Sequence, residues 1–467
     1  MNLSNINYII FLIFFGYFLL VMVFYLLLAL LGMIEGRRRS WESEEEDYPL
    51  AYLSTIAIPV SIVIAARNEE EWIRDSLLSV LNLNYPKFEV IIVDDASTDR
   101  TLEILNEMLD LMAVDIPYVK HYKDGFVHTI FKSRKYPFVT VVNKDRGSLK
   151  KAGAVNAGLN LVRNEYVCMV DADTVLEQNA LLKVMAHVQK DPDRVIGIGS
   201  YFGLSNGLKI KDGRVISSTP TFKPVIAYQT MEYIRSFIGS RIGWSRYNAM
   251  PVMAGGFSMW RRDVLYDLGG FSADFTCEDI EFTFRAHDYL IKNKEKDYRI
   301  IMLPYSVGWT EGPSNIKSLI LQRSRWQRVT NETVFHYKYM ILNPKHGSFA
   351  FLTLPYFLLY EVMGVFFGVT SALFVAVAWA LKILDTRTFL AFLCLMVLSQ
   401  ALMSLVSIFS FVRINRLYRL PYISYLIFLC LVELICYRWI IYIAQILGTY
   451  SFFRGVKDFE QYTRAKR

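Results

Sequence analysis

Cysteine is scarce in this chain of 467 residues, which contains five: Cys168, Cys277, Cys394, Cys430 and Cys436. No two of them form a CxxC pair or a spacing typical of a zinc site, and three lie in the apolar C-terminal region. This distribution indicates ordinary buried thiols and argues against a disulfide framework.

Motifs that mark several common active sites are also missing. The sequence contains no GxGxxG, no GxxxxGK followed by Ser or Thr, and no HExxH. Dinucleotide-binding, P-loop and zinc-protease chemistry are therefore not indicated. A concentrated basic patch is missing as well, because the net charge of +7 comes from dispersed residues or residues beside apolar spans. We interpret this charge as a signal of membrane topology and of an anionic lipid surface, and we expect no nucleic-acid partner.

Long apolar runs are abundant, and they are concentrated at the two ends of the chain. A mean hydropathy of +0.27 and 53% hydrophobic residues are high for a soluble protein. Residues 8–34 form a nearly uninterrupted apolar run that is long enough to cross a bilayer and too long for a signal-peptide core. Arg37, Arg38 and Arg39 follow it and predict that this end of the span is cytoplasmic.

Three further spans are predicted near residues 362–381, 388–412 and 422–447. The last contains Glu433 and Arg438, whose cost at membrane depth predicts that they pair or face a polar cavity. Three spans after the first would place the C-terminus outside, whereas its basic residues favour the cytoplasm. We expect a cytoplasmic tail and one C-terminal segment that is re-entrant or interfacial.

Between the apolar ends, short β-branched runs alternate with amphipathic helices, which predicts an α/β domain with a mainly parallel sheet. Candidate strands are residues 60–65, 88–93, 138–142 and 166–170, and residues 209–223 are expected to form an exposed loop. The predicted segments are a transmembrane helix (1–36), a linker (37–57), the α/β domain (58–330), interfacial helices (331–361), a transmembrane region (362–450) and a basic tail (451–467).

Two carboxylates follow the strand at 166–170. Asp171 and Asp173 are separated by one small residue, and hard oxygen ligands in this arrangement suit Mg²⁺ or Mn²⁺ with a substrate's phosphates. Two solvated turn carboxylates would give the same pattern. Ligands of such sheets bind beyond the carboxyl ends of the strands, so we expect Asp95, Lys151, Asp171 and Asp173 to converge on one crevice. Lys151 lies in a helix start rich in small residues, which would let a ligand approach the backbone.

Three later patterns are each compatible with two interpretations. Gly255 and Gly256 precede Phe257 and Trp260, which fits either a sugar lying against an aromatic ring or a plain β-bulge. Glu278 and Asp279 open a helix, where a carboxylate can serve as a general base or simply complement the helix dipole.

The third pattern is a helix face that carries an amide, a cation and an indole. Gln322, Arg325 and Trp326 share this face at i, i+3 and i+4. Arg325 could hold a diphosphate and Trp326 could stack on a sugar ring. A basic helix lying on the membrane surface would show the same residues.

In order and spacing, these motifs resemble the membrane-embedded family 2 glycosyltransferases, which include cellulose, chitin, hyaluronan and poly-N-acetylglucosamine synthases. The resemblance covers residues 58–330 and rests on Asp95 after a strand, Lys151-x-x-Ala-Val-Asn156, Asp171-Ala-Asp173, Glu278-Asp279 and Gln322-x-x-Arg325-Trp326. It implies a GT-A fold and inverting transfer from a nucleotide-activated sugar, usually UDP-linked. The turn Asp95-Ala96-Ser97 departs from the more usual Asp-Gly-Ser.

The resemblance also implies roles for individual residues. Asp279 would be the catalytic base, with Glu278 beside it in the same motif, and Asp171 and Asp173 would hold the metal diphosphate. The nucleotide-sugar site would comprise Asp95, Lys151, Asp171, Gln322, Arg325 and Trp326.

The expected protein is a plasma-membrane enzyme with a cytoplasmic catalytic domain that extends a glycan. Its partners would be a nucleotide sugar, a glycan or lipid acceptor, and membrane lipids. The Gln-x-x-Arg-Trp motif favours processive synthesis, and a single transfer to a membrane lipid is the alternative. A transporter with a non-catalytic domain would instead predict charges on several spans, whereas the acidic clusters of this chain lie outside the spans.

Overall fold

The structure is a computed structural model, and it describes residues 3–44, 56–217, 220–383 and 385–456. The chain forms two compact units. The sheet unit contains Gly36–Thr221 and Ser245–Gly312, and the helical unit contains Met1–Glu35, Phe222–Trp244 and Pro313–Arg464. Residues 58–330 thus contribute to both units.

The sheet unit is built around a ten-stranded mixed sheet with the spatial order β3-β4-β5-β2-β1-β6-β11-β8-β12-β7, and β9 and β10 form a separate hairpin. In chain order the strands are β1 (Val60–Ala66), β2 (Phe88–Asp95), β3 (Leu111–Val114), β4 (Val127–Ser133), β5 (Val139–Lys144), β6 (Tyr166–Asp171), β7 (Val175–Leu176), β8 (Val195–Leu204), β9 (Lys209–Lys211), β10 (Arg214–Ser217), β11 (Phe257–Arg261) and β12 (Arg299–Thr310).

The α-helices complete both units. They are α1 (Leu3–Glu44), α2 (Ile73–Leu81), α3 (Thr101–Leu109), α4 (Lys150–Leu159), α5 (Ala180–Lys190), α6 (Pro224–Ile234), α7 (Ile242–Arg246), α8 (Arg262–Asp267), α9 (Glu278–Lys292), α10 (Ile316–His336), α11 (Leu354–Tyr356), α12 (Gly364–Ala380), α13 (Thr386–Asn415), α14 (Leu420–Val432) and α15 (Tyr437–Phe453). Segments with π-helical geometry are Arg235–Arg241, Phe349–Thr353 and Phe357–Val362, and short 3₁₀ turns are Lys294–Lys296, Lys338–Met340 and Pro344–His346.

The central strands explain why the sequence predicts a parallel sheet. β5, β2, β1 and β6 are adjacent and parallel, and their residues are mostly buried, so they appear in the sequence as continuous apolar runs. The register pairs Ala66 with Asp94 and Ala65 with Asp171. The aspartates that end β2 and β6 therefore lie at the same edge of the sheet, as predicted.

Helix α4 packs closely on this sheet. A Cβ atom at Gly158 would lie 2.5 Å from Val63 Cγ1 of β1, so a larger residue at this position would push the helix away from the sheet. The small residues of α4 were predicted to let a ligand approach the backbone. Gly158 instead serves helix–sheet packing.

The predicted loop at residues 209–223 is wrong in part, because it contains the hairpin of β9 and β10. Asp212 and Gly213 connect the two strands with φ values of 52° and 71°. Positive φ at both positions is the requirement of a type I′ turn, and Asp-Gly is among its preferred dipeptides. The signal for this hairpin was present in the sequence.

In the described residues, three helical segments are long and apolar enough to cross a membrane: Asn7–Trp41, Phe349–Ala380 and Phe392–Asn415. The span predicted at 422–447 is not a single helix. It consists of α14 and α15, which meet at a bend of 66°. Such a pair is either a broken span or a re-entrant loop, and the tail at 457–467 lies outside the described residues.

Arg39, one of the three arginines that predicted the topology, is buried. Its guanidinium donates to the Met302 carbonyl of β12 at 2.7 Å and to Ser245 Oγ at 3.0 Å. Arg39 therefore has a structural role in the sheet unit, in addition to its contribution to the positive charge beside the first span.

The prediction that Glu433 pairs with another group is confirmed. Glu433 lies in the bend between α14 and α15 and is 2% exposed. Its carboxylate accepts hydrogen bonds from both terminal nitrogens of Arg235, each at 2.7 Å. Arg235 also donates to Ser404 Oγ of α13 at 3.0 Å. Arg438 lies 4.9 Å from the centre of the Tyr442 ring. The ion pair fastens the bend to the segment that begins at Arg235.

Replacing Arg235 with Met should leave a buried carboxylate without its cation, which costs about 3–5 kcal/mol. We expect a lower melting temperature in detergent, and a recovery of most of the loss in Arg235→Met/Glu433→Met, because neither charge then needs compensation. Arg387→Met, at an exposed arginine of α13, is the control. Equal melting temperatures for Arg235→Met and Arg387→Met would contradict this role of the pair.

Candidate active site

Four charged side chains meet at the carboxyl end of β6. Asp171 ends the strand, Lys151 lies in the first turn of α4, and Glu278 and Asp279 begin α9. The Lys151 ammonium lies 2.8 Å from Asp171 Oδ1 and 2.9 Å from Glu278 Oε1. One cation thus joins two carboxylates that are more than 100 residues apart in the sequence.

Asp279 is held by backbone donors. Its Oδ2 accepts the N–H of Gly255 at 3.2 Å, and its Oδ1 accepts the N–H of Ile280 at 2.8 Å. Thr283 donates to the Asp279 carbonyl at 2.8 Å and accepts the N–H of Met253 at 3.0 Å, so it links α9 to the segment before β11. The carboxylate of Asp279 therefore has a defined orientation.

The surroundings shift the pKa values of the cluster. Burial raises the pKa of Asp279, the negative charge of Glu278 raises it further, and Lys151 and the two backbone N–H groups offset only part of this. Desolvation lowers the pKa of Lys151, but the carboxylates of Asp171 and Glu278 outweigh it and keep the pKa well above its usual value. At neutral pH the lysine is charged, and Asp279 holds a proton more readily than an ordinary aspartate.

These four residues line an open pocket of about 380 Å³. Gly255 lies at its wall, where an added Cβ would be 3.1 Å from Lys151 Nζ. Trp260 also lines the pocket, but it is 1% exposed and packs against Gly197 and Phe282.

Of the two interpretations of this segment, a sugar lying against Trp260 or Phe257 does not fit the structure, because both rings are buried in the core. Gly256 has a packing role as well, since an added Cβ would lie 2.9 Å from the Phe202 ring. Of the glycine pair, only Gly255 faces the cluster.

Asp95 ends β2 at the same edge, two strands away from Asp171 and two residues beyond its level in the register, which corresponds to about 12 Å between the Cα atoms at ordinary strand geometry. Its Oδ1 accepts Lys144 Nζ of β5 at 2.8 Å, and the lysine side chain is fully buried. Burial raises the pKa of Asp95, while Lys144 opposes that shift. Ala96, which replaces the more usual glycine, has a φ of 55° and so adopts a conformation that glycine takes more readily.

Asp173 lies beyond β6 and is buried. Its Oδ1 accepts the hydroxyl of Thr310, at the end of β12, at 3.2 Å. Among the described residues, no group of three or more His, Cys, Asp or Glu side chains is close enough to hold a metal ion. A metal at this edge would therefore rely on one or two carboxylates together with oxygens from water or a ligand.

The remaining predicted site residues lie on α10, in the helical unit. Gln322 is buried there, and Trp326 is 37% exposed. Arg325 lies on the same helix at i+3 from Gln322.

Three residues that contact the site were not predicted: Lys144, Thr283 and Thr310. Lys144 is the last residue of β5, and a charged residue at the end of a parallel strand is a signal that could have been used. Neither threonine stands in a pattern that sets it apart from a surface residue.

Comparison with known protein families shows the family to which the chain belongs. Residues 61–269 match the family described as Glycosyl transferase family 2, and residues 166–452 match Glycosyl transferase family group 2. The chain belongs to the family 2 glycosyltransferases. The predicted family and the predicted GT-A type of α/β fold are thereby confirmed.

Two curated relatives are similar to this glycosyltransferase. The poly-beta-1,6-N-acetyl-D-glucosamine synthase of Staphylococcus epidermidis is 29% identical over 276 residues, which are 59% of this chain and 55% of the synthase. The match thus spans about half the length of that relative. The probable glycosyltransferase YdaM of Bacillus subtilis is 27% identical over 366 residues, which are 76% of this chain and 75% of YdaM.

Among solved structures, the mannosyltransferase PcManGT from Pyrobaculum calidifontis, in complex with GDP-Man and Mn2+, has a similar fold. The TM-score is 0.57 at 18% sequence identity, and the alignment covers 97% of this chain and all of that one (100%). At this identity the likeness extends to the fold alone.

Proposed function

We propose that this glycosyltransferase moves a sugar from a UDP-linked donor to the hydroxyl of a growing glycan at the cytoplasmic face of the plasma membrane. The observation that supports this most is the pocket at the end of β6, where Asp279, Lys151 and Asp171 occur together. It contains a carboxylate suited to take a proton, a cation suited to a phosphate, and a further carboxylate at the strand end.

In this proposal Asp279 is the base. It takes the proton of the acceptor hydroxyl as that oxygen attacks the anomeric carbon, and the bond from that carbon to the diphosphate breaks, so that UDP leaves with the electron pair. A raised pKa suits the task, because a base is most effective when its pKa approaches the working pH. The backbone donors from Gly255 and Ile280 hold the carboxylate in place for the transfer.

Asp171 and Asp173 would hold Mg²⁺ or Mn²⁺. The donor chemistry fits, because both are hard oxygen ligands and Asp171 already lies 2.8 Å from a cation, the ammonium of Lys151. Such an ion supplies positive charge where the leaving diphosphate becomes negative. Asp95, Lys151, Gln322, Arg325 and Trp326 keep the donor- and acceptor-binding roles implied by the family.

We further propose N-acetylglucosamine as the transferred sugar and a polymer as the product. The relative that is 29% identical is a poly-beta-1,6-N-acetyl-D-glucosamine synthase. The resemblance carried by the Gln-x-x-Arg-Trp motif favours processive synthesis. A single transfer to a membrane lipid is the second candidate, favoured by the small number of helices that could span a membrane.

Product size distinguishes the two candidates. Native membranes that contain the full-length protein are incubated with labelled UDP-N-acetylglucosamine and Mg²⁺ or Mn²⁺, and with UDP-glucose and GDP-mannose in parallel. We expect a ladder or a high-mass polymer from the first donor and loss of activity after chelation. A lipid extended by one sugar would exclude polymerisation, and incorporation from GDP-mannose alone would contradict the proposed donor.

Asp279→Asn should abolish the base while it preserves the shape of the pocket. We expect turnover to fall by about 10²–10⁴-fold, with UDP affinity largely unchanged. Asp288→Asn on the same helix α9 is the matched control, because Asp288 pairs with Lys292 rather than with the cluster. Near-normal turnover of Asp279→Asn would rule out this residue as the base.

The pH profile tests the electrostatics of the same residue. Asp279 must be ionised to accept a proton, so its raised pKa places the acid limb of kcat/KM at higher pH than an ordinary aspartate would. Glu278→Gln removes a negative neighbour, which lowers the pKa of Asp279 and should move the acid limb to lower pH. Asp274→Asn, an exposed carboxylate, controls for the loss of charge. If the acid limb of kcat/KM does not move in Glu278→Gln, Glu278 does not raise the pKa of Asp279.

A further inference from the structure

Arg323 lies within the Gln-x-x-Arg-Trp segment of α10 without being one of its three defining residues. Its guanidinium nevertheless contacts two of them. Nη1 donates to Gln322 Oε1, and Cζ lies 4.1 Å from the centre of the Trp326 ring. Arg323 is therefore placed to control the orientation of both side chains.

Arg323 is itself held by a carboxylate. Its Nη2 and Nε donate to Glu232 Oε2 of α6 at 2.6 Å and 3.2 Å, and Tyr437 of α15 donates to the same oxygen at 2.9 Å. A guanidinium can make these contacts together because its N–H donors lie in one plane, which leaves the face of that plane for an aromatic ring. In Arg323 the edge of the guanidinium binds Glu232, and its face covers the ring of Trp326.

The contact with Gln322 determines which end of the amide can meet a ligand. If the amide were flipped, its NH₂ group would face the N–H donors of the guanidinium, and two donors cannot bond to each other. The oxygen must therefore face Arg323. The NH₂ end of Gln322 is the one that can donate to an oxygen of a ligand.

The contact with Trp326 has a similar consequence. The guanidinium covers one face of the indole by a cation–π contact, while 37% of the residue is exposed. A sugar ring that stacks on Trp326 is thereby directed to the opposite face.

We propose that Arg323 is a positioning residue for sugar transfer, which fixes the amide of Gln322 and restricts Trp326 to one stacking face. This inference rests on the proposed function, which gives Gln322 and Trp326 their roles. The competing explanation is that Arg323 only joins α10 to α6 through Glu232.

Arg323→Lys separates the two explanations. Lysine keeps the charge that pairs with Glu232, but it has no planar fork to hold Gln322 or to cover Trp326. We expect the incorporation of label from UDP-N-acetylglucosamine by the full-length protein in native membranes to fall by at least about tenfold, since small misplacements of binding groups slow transfer strongly. The melting temperature should stay close to that of the wild type. If Arg323→Lys retains wild-type turnover, the proposal is overturned.

A second pair of variants covers the case in which Arg323→Lys does not fold. Glu232→Gln neutralises the carboxylate that holds Arg323. Glu332→Gln is the matched control. Glu332 lies on α10, six residues beyond Trp326, and pairs with Arg328 of the same helix at 2.7 Å. Both should lower the melting temperature, but only Glu232→Gln should lower turnover beyond the loss of folded protein. Equal turnover per folded molecule would contradict the proposal.

Trp326→Ala distinguishes a failure of this inference from a failure of the proposed function. If Trp326→Ala loses transfer and Arg323→Lys does not, only the positioning role of Arg323 is wrong. If Trp326→Ala transfers sugar at the wild-type rate, the role proposed for the motif is wrong, and the proposal for Arg323 fails with it.

Discussion

The distribution of charge in the pocket depends on the ion pairs of Lys151. Asp171, Glu278 and Asp279 bring three carboxylates to one pocket, and the pKa of Asp279 is raised by burial and by the negative charge of Glu278. Lys151 forms ion pairs with Asp171 and Glu278, and its positive charge also lowers the pKa of Asp279 by a coulombic interaction. Its position therefore divides the carboxylates into two that are neutralised by contact and one that is left with a raised pKa. Carboxylates whose environments differ in this way can take different chemical roles.

The backbone around the pocket makes this division possible. Gly255 supplies an N–H to Asp279 and has no side chain where a Cβ would approach Lys151 Nζ. A Cβ atom at this position would require the ammonium to move by a few tenths of an ångström. The position of Asp279 in the first turn of α9 adds the N–H of Ile280, which favours the ionised form. Burial and Glu278 outweigh these donors, so the net shift of the pKa is upward.

The sequence was sufficient for the fold class and for the residues at the strand ends, because buried parallel strands appear as apolar runs and their carboxyl ends collect ligand-binding groups. It was insufficient for Lys144, Glu232 and Arg323. Their importance comes from contacts between segments that are far apart in the chain, such as Arg323 with Glu232, and no local pattern encodes such contacts. Trp260 shows the opposite error. An aromatic residue shortly after two glycines is compatible with a sugar-binding surface, yet the Trp260 ring packs against Gly197 in the core.

The two lysine–aspartate pairs at this edge differ in burial, and the difference limits what each aspartate can do. The pair of Lys144 and Asp95 is buried, at 0% and 6% side-chain exposure, and breaking it would leave an uncompensated charge at a cost of about 3–5 kcal/mol. The pair of Lys151 and Asp171 is 43% and 34% exposed, and an ion pair this accessible contributes about 0–1 kcal/mol. If a metal diphosphate binds Asp171 as proposed above, Lys151 would give up this contact at little cost and would keep its ion pair with Glu278. Asp95 has no such freedom. If Asp95 contacts the nucleoside as proposed above, the contact has to preserve the bond to Lys144 and use the second carboxylate oxygen. Under the same proposal, Asp95 would hold a fixed part of the donor, and Asp171 would hold the part that changes during transfer.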